Sequence, residues 1–195
     1  MNKLLKLSAL AIIISNITGC TLSTIEAGEE GVMTYQPYIF GSGGVDNNPI
    51  VAGAIWTALS TKVDRYNIKP VKHKERFIDL TASDNVAIDF DVYLTLQIQK
   101  GKTPQLHELS GKEWYSNKVS DTFRAFVRNE ARTKSSIQLR TNEKIIVETQ
   151  NEIKRLMINY IEEINLPVNV VKVNIGKVIP PNEVLAEAAE TAAQN

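Results

Sequence analysis

The sequence predicts an α+β fold in which an antiparallel sheet carries helices on one face. Two observations carry this. Residues 86–99 alternate strictly: Val86, Ile88, Phe90, Val92, Leu94, Leu96 and Ile98 hold the even positions, and mostly polar residues hold the odd ones. That period of two puts one strand face in a core and the other toward water, the pattern of an antiparallel sheet. After residue 113 the period becomes helical, and a last strand follows. Strands grouped ahead of helices indicate α+β rather than alternating βαβ units.

Taken in order, the chain opens on Met1-Asn2-Lys3-Leu4-Leu5-Lys6, with two positive charges and no negative one, followed by an apolar stretch to Ile14. The small residues Thr18 and Gly19 precede Cys20, the only cysteine among 195 residues. A charged start, a short apolar middle and a small-residue cleavage site describe a secretory signal. The apolar stretch is too short and too interrupted to span ~30 Å of hydrocarbon. A single thiol excludes an intramolecular disulfide and a cysteine-based zinc cluster. Ile17-Thr18-Gly19-Cys20 resembles the bacterial lipoprotein box, where the cysteine is lipidated on sulfur and the chain is cut before it. The resemblance implies a signal peptide at 1–19 and palmitate-type acylation of Cys20. Thr21, with no aspartate at that position, implies outer-membrane placement facing the periplasm if the cell is Gram-negative. Cleavage removes two of the 22 basic residues against 22 acidic ones. So near-neutral a balance offers no field for nucleic acid.

Residues 21–31 read as a tether leading into the fold, and 20–30 is taken as the lipidated segment. A first strand is expected at 32–40, with Pro37 marking an edge or bulge. Gly41-Ser42-Gly43-Gly44 and Asp46-Asn47-Asn48-Pro49 are loop signals. Residues 50–59 form a compact apolar run containing Trp56. Ten residues cannot cross a bilayer. A buried strand or a loop over the core is one reading. The other is membrane contact through Ile50, Ile55, Trp56 and Leu59, since indole is favoured at the interface. Further strands are expected at 65–71 and 76–80. Lys69, Lys72, Lys74 and Arg76 make a basic cluster, either an edge-strand guard or an approach to anionic headgroups.

Thr81-Ala82-Ser83-Asp84-Asn85 supplies turn chemistry before the long strand. A helix is expected over 114–132. A longer one, capped by Thr141 and running to about Ile164, would bury Ile146, Ile153, Leu156, Met157, Tyr160, Ile161 and Ile164. Pro167 ends it. In the strand at 168–178 the apolar phase slips between Val170 and Val171, the sign of a bulge. Pro180-Pro181 opens a short alanine-rich helix to about Ala193.

Four stretches together resemble the stomatin/prohibitin/flotillin (SPFH, band 7) superfamily. They are Ala27-Gly28-Glu29-Glu30-Gly31-Val32; Leu80-Thr81-Ala82-Ser83-Asp84-Asn85-Val86, where Asn85 stands for the usual glycine; Arg128-Asn129-Glu130-Ala131-Arg132; and Val173-Asn174-Ile175-Gly176-Lys177-Val178-Ile179-Pro180-Pro181-Asn182-Glu183-Val184. Asparagine tolerates the left-handed backbone such a turn needs. The resemblance implies a band 7-like domain at 31–180 and a C-terminal helical extension at 181–195. It implies a non-enzymatic membrane scaffold that self-associates or modulates a membrane protein such as a protease. The family's long coiled coil is nearly absent, since Val184, Leu185, Ala188 and Ala192 form too thin a stripe for a durable seam. Contacts between copies would therefore come mostly from the globular domain. The other readings are a lipoprotein binding a small ligand and an envelope hydrolase.

Candidate chemistry is sparse. His73 and His107 lack metal-ligand spacing, and no cofactor or metal is expected. Asp89 and Asp91 share the wet strand face about 7 Å apart, with no third ligand in view. The glycine-rich 41–44 segment lacks the Lys-Ser/Thr of a phosphate loop. No Gly-x-Ser-x-Gly elbow occurs, which leaves catalytic residues unassigned.

Overall fold

The computed structural model describes residues 20–37 and 41–179. The signal expected at 1–19 and the helical extension expected at 181–195 lie outside the described residues. The chain divides into two compact units, Met1–Ile68 with Lys100–Glu108, and Lys69–Gln99 with Leu109–Asn195.

In the first unit, β1 (Cys20–Ile25) pairs antiparallel with β4 (Gly53–Ala58). The segment expected as a tether is therefore a hydrogen-bonded strand. Its partner lies some thirty residues on, so no local pattern announced the pairing. β2 (Glu29–Tyr35) lies between β3 (Gly44–Val45) and β5 (Thr61–Asn67). β2 starts and ends earlier than the strand expected at 32–40. The turn Glu26–Glu29 is closed by Gly28 at φ +93°, a left-handed position that favours glycine. At Gly31 a Cβ would stand 2.7 Å from Ile25 Cδ1, so a side chain there would oblige the buried Ile25 side chain to shift. These two contacts give physical reasons for the glycines of the Gly28–Gly31 motif.

In the second unit, β6 (Val71–Thr81), β7 (Ala87–Ile98) and β8 (Val168–Ile175) form an antiparallel sheet with β7 central. Strands at 65–71 and 76–80 were expected. The break falls instead at Pro70, which has no N–H to give a ladder, and β6 runs on to Thr81 with a bulge at Ile78–Asp79. The alternation of β7 holds throughout: Ile88, Phe90, Val92, Leu94, Leu96 and Ile98 are buried, and the intervening residues are half-buried. Asn85 takes φ +57° in the turn before β7. Asp84 fastens that turn by accepting from Ser136 N–H (2.9 Å) and Ser136 Oγ (2.7 Å). The β8 ladder skips Val171 between Lys172 and Val170, so the bulge lies where the phase slip placed it.

Among the described residues the helices are α1 (Thr103–Ser110), α2 (Ser120–Arg132), α3 (Ser136–Thr141) and α4 (Glu143–Glu163), with a π-helical turn at Tyr115–Val119 ahead of α2. α1 and α3 have no counterpart in the sequence reading. Thr141 ends α3, its hydroxyl donating to Ile137 C=O, and Asn142 caps α4 by accepting from Ile145 N–H. The cap therefore sits one residue later than expected. α2 and α4 cover the buried face of the β6–β7–β8 sheet with Phe123, Val127, Ile153, Met157 and Ile161. Ile146, Leu156, Tyr160 and Ile164 are half-buried flanks of that stripe. The architecture is the α+β arrangement expected, an antiparallel sheet with helices on one face.

Candidate membrane-facing site

Residues 20–25 and 50–61 contain no Asp, Glu, Lys or Arg. The β1–β4 ladder joins these two uncharged stretches. Its register sets Cys20 opposite Ala58, Leu22 opposite Trp56 and Thr24 opposite Ala54. Directly opposed residues share a face, so these six side chains form one surface. All six are exposed, including Leu22 at 53 % and Trp56 at 69 %. The other face carries Ile25 and Thr57, both buried, and the Thr21 and Thr57 hydroxyls lie 3.1 Å apart on it. Val51 and Leu59, flanking β4, are also exposed.

The residues considered for membrane contact are thus divided. Trp56 and Leu59 are exposed. Ile55 points to the opposite face of the ladder and is half-buried. Ile50 is half-buried too, its backbone exchanging bonds of 2.8 and 2.9 Å with Gly31. Sequence reasoning missed Leu22, whose exposure depends on the register with Trp56. The Cys20 thiol is free and exposed at the end of the ladder. No helix of the described residues is long and apolar enough to cross a membrane.

The polar residues are held in structural networks. In the first unit, Glu30 is 2 % exposed and accepts from Gly101 N–H (2.8 and 3.1 Å) and Thr103 Oγ (2.9 Å). His107 Nδ1 lies 2.6 Å from Tyr66 Oη, and its Nε2 lies 3.4 Å from Thr34 Oγ1. Together they seat the start of α1 against β2 and β5.

In the second unit, His73 stacks on Tyr115 with ring centroids 3.7 Å apart and meets the edge of Trp114. Burial lowers the His73 pKa, with the Glu75 charge opposing the shift. Glu75 accepts from Tyr115 Oη (2.8 Å) and Arg124 Nη1 (2.6 Å). Burial, then the bond to Glu75, raises the Tyr115 pKa, so the phenol stays protonated and donates. The cluster ties the π-helical turn and α2 to β6. Glu75→Ala is expected to strip both donors of their partner. Arg124 is about a third exposed, so water compensates part of the loss, and a destabilisation of about 1–2 kcal/mol follows. Urea denaturation of wild type and variant checks it, with Glu75→Gln expected to lose less.

Of the basic cluster, Lys74 pairs with Asp91 at 2.7 Å and Lys72 lies 4.7 Å over the Tyr93 ring. Asp89 accepts from Asp79 N–H at 2.8 Å, where Asp79 takes φ +54° in the β6 bulge. The two aspartates therefore have separate structural partners. Among the described residues no three His, Cys, Asp or Glu side chains are grouped to hold a metal ion.

A family model described as SPFH domain / Band 7 family matches residues 23–195. No curated protein matches the chain.

Proposed function

This chain belongs to the SPFH domain / Band 7 family, and from that premise we propose that it is a lipid-anchored, non-catalytic scaffold of the bacterial cell envelope. Proteins of this family are typically membrane-associated. Acylated Cys20 would provide the attachment. The α+β body would work by contact, with further copies of itself and with a membrane protein such as a protease. If the cell is Gram-negative, the protein faces the periplasm from the outer membrane.

The observation that carries this reading is the position of Cys20. The one cysteine, preceded by a lipoprotein-like box, stands solvent-exposed on an uncharged apolar surface. The polar clusters favour a structural role, because Glu30, Glu75, His73 and His107 each have a packing or bonding partner.

Chemical cross-linking of the detergent-extracted protein tests the scaffold. Multimers that survive dilution are expected. A strictly monomeric protein would turn the reading toward small-ligand capture, and turnover of a substrate by purified material would turn it toward a hydrolase.

A further inference from the structure

The tether ahead of a lipoprotein's domain ordinarily decides how far the domain stands from the bilayer. Here Cys20 is not on a tether. It is the first residue of the β1–β4 ladder, in register with Ala58. Any lipid on its sulfur would therefore leave from the same face that carries Leu22 and Trp56, with no flexible spacer between.

That face has the chemistry of a membrane interface. Indole is favoured at headgroup level, and exposed leucine and valine lose water when they enter the acyl boundary. Leu22 and Trp56 are cross-strand neighbours on this face, and Val51 and Leu59, both exposed, lie just beyond the two ends of β4. A single exposed leucine is ordinary, whereas an exposed leucine–tryptophan pair on one charge-free face beside Cys20 marks an interaction surface. No charged side chain on either stretch would need to be desolvated, and none would seek anionic headgroups.

We propose that the Cys20–Leu22–Trp56 face of the β1–β4 ladder lies flush in the bilayer interface, as a second, non-covalent membrane contact that fixes the orientation of the first unit. The occupant is a lipid surface, and because the face is uncharged the contact needs no anionic lipid. The inference rests on the Cys20 anchor proposed above, so its test must separate the two.

Trp56 is the probe. The chain has two tryptophans, and Trp114→Phe removes the other. The protein is expressed as the full chain, extracted in detergent and reconstituted into phosphatidylcholine vesicles. Reactivity of the Cys20 thiol is measured first. A blocked thiol supports the anchor. A free thiol overturns the anchor, and the protein is then coupled through that thiol to a maleimide-bearing lipid, so the face is still presented to a bilayer.

In either arm, Trp56 emission is expected to shift to the blue and to lose roughly half its intensity when the lipids carry bromine on their acyl chains, as for a ring at interface depth. Leu22→Ser, at the exposed position opposite Trp56, should leave the protein anchored while diminishing that quenching. Trp56 open to aqueous iodide and untouched by brominated lipid, in a protein that still floats with the vesicles, overturns the flush contact alone. A blue shift that appears without vesicles and grows with protein concentration also overturns it, since a second copy then covers the face.

Discussion

Replacing Cys20 with serine is expected to move the protein from the membrane fraction to the soluble fraction, with loss of metabolically incorporated palmitate. Each methylene buried in the bilayer contributes ~0.8 kcal/mol, so one acyl chain holds a protein marginally and two or more hold it stably. No interaction on the domain surface approaches that total. Leu22, Trp56, Leu59 and Val51 would leave at most a weak, reversible adhesion. The fold should be indifferent to the change. Cys20 is exposed at the end of its ladder, and surface substitutions of this kind fall within about 0.5 kcal/mol of wild type. An unchanged melting temperature alongside the altered fractionation would assign the effect to anchoring rather than folding. A serine variant that remained in the pellet after a carbonate wash would refute the anchor.

What could be read from the sequence and what could not divide along a physical line. β7 was legible because its signal is local and long: six buried side chains at period two need no knowledge of their partners. The bulge at Val171 was legible for the same reason, as a departure from a local rule, whereas the left-handed Asn85 followed from the family resemblance, in which it stands for the usual glycine. β1 was not, because Thr21-Leu22-Ser23-Thr24-Ile25 becomes a strand only through β4. α1 was missed because Thr103, Leu106 and His107 look unremarkable in isolation, and what places them is Glu30 and Tyr66 on distant strands. The strand drawn across Pro70 shows apolar pattern wrongly outweighing backbone chemistry. In the candidate site, Trp56 was visible as a candidate for the interface inside an apolar run. Leu22 was not, and Ile55 was assigned to the wrong company, because which residues share a face is a property of register.

Glu30 is where register and motif meet, and Glu30→Ala is expected to destabilise the protein by about 3 kcal/mol. In β2 the Glu30 side chain turns inward on the same face as buried Val32 and is 2 % exposed. There its two oxygens accept from Gly101 N–H and Thr103 Oγ, at the entrance to α1. An ionised acceptor at a helix start is favoured by the unpaired N–H groups and by the helix dipole. Hydrogen bonds to a charged group contribute about 1.5–3 kcal/mol, and a buried donor left without a partner costs about 1–3 kcal/mol. The alanine variant loses the first and incurs the second at Thr103, which is fully buried, whereas exposed Gly101 can turn to water. The damage should be local before it is global. Hydrogen exchange is expected to accelerate first across residues 100–108, where His107 still bonds to Tyr66 and Thr34. Glu30→Gln keeps an acceptor oxygen for Thr103 and should recover part of the loss. Equal protection of 100–108 in the alanine variant and the wild type would show that α1 is seated by its apolar contacts, such as buried Leu106, rather than by this carboxylate.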